Sequence, residues 1–332
     1  MQSLTLTTLQ EVAFDFKHDS FLSKSAPALP QAIIKTLAYF DVFNFPLTAW
    51  EIYKYLWVED LVDKKVSYLA VRRALNELTN INYQDGFYFL SGQSELVPLR
   101  KSRQLIAREK YRRARWVAAL LSVLPFTKLV AVCNSLAYDN TRPESDIDFF
   151  IITSARKIWT VRFLATLMLK LLRLRPTAAS KQNKICVNFI VGEDALNLQP
   201  LLIAGDVYFI YWFKQLVPLY NQGGIFGKFI KANDFIGKAV NNSVPPLFYS
   251  QRRIEPEVAF KTAKLVLEII SGGVWVENFC QKIQLKLMPP ALKQQAGAST
   301  AVVISDGVLK FHERDWREEY RDLWKKRITS NK

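Results

Sequence analysis

Residues Lys128 to Thr153 read KLVAVCNSLAYDNTRPESDIDFFIIT, and the fold turns on them. Leu129 to Cys133 is a short apolar run bounded by polar residues, the pattern of a buried strand. Asn134-Ser135 turns the chain, Leu136-Ala137-Tyr138 can begin a short helix, and Asp139 to Ser145 is a turn-rich loop holding Asn140 and Pro143. Asp146 to Ile152 then reads as a second strand. Side chains alternate across a strand, so Asp146 and Asp148 project from one face and Ile147 from the other. Two carboxylates two residues apart, on a strand otherwise made of Phe and Ile, are costly to bury unpaired. A bound cation is their natural neutraliser; a strand end with both aspartates in water is the alternative. Hard divalent ions such as Mg²⁺ or Mn²⁺ take carboxylate oxygens together with substrate phosphates. The turn before them offers backbone N–H groups and the Ser135 hydroxyl to a phosphate.

This order of strand, Ser-containing turn, short helix and Asp-x-Asp strand resembles the DNA polymerase β-type nucleotidyltransferases, including their minimal and antibiotic-modifying members. The resemblance is tight over about 25 residues and loose over residues 117–206. It implies an α+β fold with a mixed sheet and covering helices. It also implies that Asp146 and Asp148 hold Mg²⁺ or Mn²⁺, that Asn134 and Ser135 meet the phosphates of a nucleoside triphosphate, and that a nucleoside monophosphate passes to a hydroxyl acceptor. Two departures stand out. Asn134 replaces the family's turn glycine, although asparagine is among the residues that best tolerate a left-handed backbone. The family's third carboxylate on a later strand has no counterpart in Lys184 to Val191, whose polar face offers Cys186 and Asn188; Glu193 and Asp194 follow past the strand end. Without that acid, the same fold serves as a nucleotide- or DNA-binding regulator.

Upstream, residues 1–29 read as a polar lead-in and residues 30–93 as a small domain. Apolar residues at helical spacing follow Pro30, Thr48 and Glu51 form a capping box, and a third helix starts near Ser67. Asp85-Gly86 closes a hairpin between Ile81 and Leu90. Three helices and a two-stranded wing resemble a winged helix; in a DNA-binding version the third helix presents Arg72 and Arg73 to nucleic acid. Two arginines on an exposed helix face are equally ordinary. Residues 94–116 carry a strongly basic helix, read as a linker between domains or as a contact to phosphates.

Downstream of Asp148, Ile158 to Leu174 reads as the helix covering the sheet, with Arg156 and Lys157 near substrate. Residues 207–332 read as a mainly helical region. It opens on the aromatic run Asp206 to Phe213, passes through an exposed linker over residues 223–250, and includes a hairpin around Asp306-Gly307 and a surface helix after Glu313.

The whole chain has 332 residues and 45 Lys and Arg against 30 Asp and Glu, so a net charge of +15 that invites acidic partners. Two histidines and three cysteines, with no C-x-x-C pair, exclude zinc-ribbon and dithiol chemistry and leave metal binding to oxygen ligands. Three scattered cysteines and the lack of a signal-like or spanning segment predict a cytoplasmic protein. Oligomeric state is not legible.

Overall fold

The computed structural model describes residues 28–59, 61, 65–90, 95–177, 180–240, 252–312 and 314–331. The lead-in over residues 1–29 lies almost wholly outside them, as do His18 and Pro245-Pro246. The N-terminal unit begins with α1 (Ala28–Asp41). A two-residue strand β1 (Leu47–Thr48) leads into α2 (Ala49–Lys54), whose capping box forms as the sequence predicts. The Glu51 N–H donates to the Thr48 hydroxyl at 3.2 Å, and the Thr48 N–H donates to the Glu51 carboxylate at 2.9 Å. Ser67 caps α3 (Tyr68–Glu77) by accepting from the Ala70 N–H. The hairpin is β2 (Asn82–Gln84) and β3 (Phe87–Phe89), and β1 joins it to give an antiparallel sheet in the order β1-β3-β2. A two-residue strand carries no periodicity, which is why the sequence showed only two of the three.

The basic helix α4 (Leu96–Val123) is longer than expected and is not a solvated linker. Arg100, Arg103 and Lys110 are buried. Arg100 pairs with Glu51 at 2.6 Å and donates to the Tyr138 carbonyl; Arg103 donates to the Asn140 side chain and the Phe43 carbonyl. Lys110 donates to the Pro143 and Ser145 carbonyls. Part of the charge that suggested a phosphate contact therefore joins the N-terminal unit to the loop before Asp146.

A six-stranded sheet follows. Its first strand β4 (Thr127–Val132) leads through the one-turn helix α5 (Asn134–Ala137) to β5 (Ile147–Thr153). The covering helix α6 (Ile158–Leu171) crosses over to β6 (Ile185–Gly192), parallel to β5. After α7 (Val207–Gln215) comes β7 (Val217–Asn221), then α8 (Ile225–Ala232). Two helices, α9 (Val258–Ser271) and α10 (Val274–Leu287), meet at Gly272-Gly273, followed by the short α11 (Pro290–Gln295). The hairpin β8 (Val302–Ile304) and β9 (Val308–Phe311) precedes α12 (Arg317–Ser330). Strand order is β7-β4-β5-β6-β9-β8, antiparallel everywhere except at β5–β6. The sheet is thus mixed and carries helices on both faces, an α/β chain whose described helices include none long and apolar enough to cross a membrane.

Two expected boundaries give way. Residues 207–332 are not a separate helical region, because β7 pairs with β4 and β9 with β6, extending the sheet at both edges. The exposed linker expected over residues 223–250 contains α8, which buries Ile225, Phe226 and Phe229 because its apolar residues fall on one face. The N-terminal unit also shares its core with α7 and α12, through Tyr211, Trp324 and Ile328. The last helix is therefore no surface appendage: the Trp324 indole donates to the Lys35 carbonyl at 2.8 Å.

Candidate active site

The alternation along β5 decides what each side chain meets. Ile147, Phe149 and Ile151 enter the core shared with α4, α6 and α10, whereas Phe150 and Ile152 enter the one beneath α7 and α8. Asp146 and Asp148 share the second face, as period-two geometry requires. Backbone pairing sets Asp148 directly opposite Cys186 on β6. The ligand atoms of Asp146, Asp148 and Cys186 all lie within 4.8 Å of one another. Of the two polar residues the later strand offered, Cys186 is the one that joins the aspartates. Glu193 sits past the other end of β6, where it pairs with Lys128 at 2.5 Å, so it does not complete the cluster.

Asn134 adopts the left-handed conformation its replacement of glycine demands, with φ of 56°. Its side chain bonds Asp148 and, through the amide oxygen, accepts from the Tyr208 hydroxyl at 3.4 Å. The amide is thereby turned toward the carboxylate. Ser135 follows in the same turn, half-buried, and its carbonyl accepts from the Asn140 N–H.

Burial raises the Asp148 carboxyl to about 7, and the neighbouring Asp146 charge adds to the effect; hydrogen bonds from Asn134 and Cys186 oppose it. Burial also raises Asp146, while Lys181 and Lys110 pull it back. The Cys186 thiol is pushed far up, by burial first and by the two aspartates next, so it remains protonated and donates to Asp148. A protonated thiol is a poor partner for a hard cation, whereas two carboxylates suit one. The donor set therefore fits Mg²⁺ or Mn²⁺ on two acids and does not fit a third-acid site.

Asp148 and Asn134 stand at one end of a cavity of about 980 Å³. The cavity exists because β9 pairs only with Phe189 to Val191, leaving the first half of β6 without a neighbour on that side. Six cationic residues line it against two aspartates: Arg162, Lys170, Arg175, Lys310, Arg314 and Arg317. Burial lowers Arg162 to about 10 and Lys310 to about 8. Arg317 is spoken for by Asp206 at 3.0 Å and Asp315 at 2.5 Å. Aromatic rings form much of the remaining wall. Tyr208 packs on Tyr320 with centroids 5.2 Å apart, and Trp212 stacks on Phe189 at 5.4 Å.

Of the sequence-derived residues, Asp146 and Asn134 are brought to Asp148, and Ser135 follows Asn134 in the same turn. Arg72 and Arg73 are exposed on α3, on a separate unit. Lys157 instead donates to the Gly272 and Gly273 carbonyls. The aromatic run from Asp206 to Phe213, which holds Tyr208, was legible as a possible stacking wall; the cavity cations and Tyr320 were not, because they come from segments more than 150 residues apart at the extremes. No protein-family model, curated protein or solved structure matches this chain.

Proposed function

We propose that the protein is a divalent-cation-dependent nucleotidyltransferase of the polymerase β type. One observation carries the reading: Asp148, paired with Asp146, and the left-handed Asn134 line a cavity rich in cations and aromatic rings. Asp146 and Asp148 would hold the cation, whose chemistry is to neutralise charge on the reacting phosphate oxygens. Cationic side chains such as Arg162 and Lys310 favour the phosphates of a nucleoside triphosphate, and the ring wall suits its base. In the transfer, an acceptor hydroxyl oxygen forms a bond to the α-phosphorus, the bond from that phosphorus to the bridging oxygen breaks, and pyrophosphate leaves with the electron pair. The hydroxyl proton passes to solvent.

Cys186 favours a second reading, nucleotide binding without transfer, because among the described residues no third carboxylate joins the pair to activate a nucleophile. Incubation with each α-labelled nucleoside triphosphate, Mg²⁺ or Mn²⁺ and a cell lysate separates the two. Label transfer that disappears in Asp146→Asn and Asp148→Asn supports the enzyme. Metal-dependent binding without transfer supports the second reading, and the absence of both defeats each.

The N-terminal unit has the helix and strand order of a winged helix, and this supports nucleic-acid contact by Arg72 and Arg73. Duplex affinity that is insensitive to salt, or unchanged in Arg72→Ala/Arg73→Ala, rules that contact out.

A further inference from the structure

Helix α9 is built inside out, and the α10 that follows anchors partly through polar side chains while its Cys280 still enters the core. An amphipathic surface helix normally turns its apolar stripe to the core. Here the polar side chains face the protein. On α9, Lys264 is buried and donates to the Thr127 carbonyl, to the Tyr220 hydroxyl at 3.1 Å and to Gln222 at 2.8 Å. One turn on, Glu268 accepts from the Phe126 N–H at 2.8 Å. On α10, buried Glu277 accepts from the Trp159 and Thr160 N–H groups, and buried Gln284 donates to the Trp159 carbonyl.

The large apolar side chains of α9, with some of those on α10, face outward instead. Val258, Leu265 and Val266 on α9 and Phe279 on α10 are exposed. At the corner between the helices, Ile269, Ile270, Val274 and Trp275 are 74 %, 68 %, 73 % and 71 % exposed. Single exposed apolar side chains are ordinary, but these eight sit on two consecutive helices rather than scattered singly. The corner's carbonyls do not project unpaired, since Lys157 bonds both Gly272 and Gly273.

Charge identifies the occupant. The helices of this layer, with the segments flanking them, are residues 96–123, 156–175 and 257–288. Outside the buried positions, and leaving out Arg162, Lys170 and Arg175, which line the cavity, they carry 11 Lys and Arg against three Glu. A second copy docking through the same layer would set that excess of positive charge against itself. An anionic surface would instead be attracted to it. At 14 residues α9 is about 21 Å long, and no described helix is long and apolar enough to cross a bilayer.

We infer that the outward face of α9, the Gly272-Gly273 corner and the start of α10 dock on an anionic lipid bilayer, with Ile269, Ile270, Val274 and Trp275 entering the headgroup region and the surrounding cations meeting the lipid charge. This inference does not depend on chemistry at Asp146 and Asp148.

Flotation of the full chain with vesicles tests it, using phosphatidylcholine alone and phosphatidylcholine with about a third phosphatidylglycerol, a strongly anionic surface. The protein is expected to float with the anionic vesicles at low salt, at least ten-fold less with the neutral ones, and to be released by high salt. Ile270→Asp/Trp275→Ala alters only exposed side chains and should lower vesicle partition at least ten-fold with an unchanged circular dichroism melt. Arg112→Gln/Arg113→Gln should lower it several-fold and flatten its salt dependence. Equal flotation with both vesicle types, or binding undiminished in Ile270→Asp/Trp275→Ala, overturns the inference. So does a chain of twice the monomer mass that ignores vesicles and becomes monomeric in that variant, an outcome that assigns the face to a second copy.

Discussion

Asp148 links the proposed chemistry to stability. Its carboxyl holds a proton up to about pH 7 in the folded protein, because it is buried beside Asp146, whereas an unfolded aspartate releases it near pH 4. Between those values the folded state binds more protons than the unfolded state, so metal-free stability falls as pH rises and levels off above 7. Asp148→Asn keeps the shape and removes the titration. Thermal melts in chelator are therefore expected to show a higher midpoint for Asp148→Asn than for the natural chain at pH 8, and little difference at pH 4. Added Mg²⁺ should raise the midpoint of the natural chain only. Cys186→Asp supplies the missing acid opposite Asp148. It should tighten Mg²⁺ binding at least ten-fold by calorimetry, since a third oxygen ligand replaces a protonated thiol. Unchanged affinity would show that the two aspartates do not face a shared ion. The aspartate pair was legible because period two puts i and i+2 together wherever a strand forms. The facing Cys186 was legible only as a polar residue on a later strand, since the register between strands is not written in either one.

Helix α4 shows how a charge pattern misleads when read without partners. Its spacing predicted a helix, and a helix forms. The same residues suggested a solvated linker, because Lys and Arg are seldom buried unless paired. Arg100, Arg103 and Lys110 are the exceptions, and their partners come from α2, the Phe43 turn and the loop before Asp146. Removing one such partner leaves the other group buried and unpaired. Arg100→Ala is expected to destabilise the fold by about 3 kcal/mol, read as a lower midpoint in urea. If Arg100→Ala and Glu51→Gln cost the same singly and together, the pair is the unit. The inverted face of α9 has the same origin: a sequence does not say which side of a helix finds a sheet.

The molecule is tied together end to end. Trp324 packs on Trp57, with centroids 5.0 Å apart, and α12 closes over α1 and α7. Truncating a buried Trp to Ala costs about 3–5 kcal/mol. Trp324→Ala should loosen the N-terminal unit, seen as faster hydrogen exchange in α1 than in β5. Uniform exchange through both would mean that the chain unfolds as one unit regardless of this contact. The arrangement also explains why the domain plan read from the sequence was too simple. Local pattern marks elements, and nothing local marks which sheet edge β7 or β9 will fill. By itself the sequence determined most of the helices, the capping box at Thr48 and Glu51, the hairpin turns at Asp85-Gly86 and Asp306-Gly307, and the common face of Asp146 and Asp148. These depend on near neighbours and on the backbone's own periods. Only the tertiary structure decided that Cys186 stands opposite Asp148, that Asp148 lines a basic, aromatic cavity, and that α9 shows its apolar face to solvent. Each of these depends on pairing between segments far apart in the chain, where burial and register are shared properties of two elements.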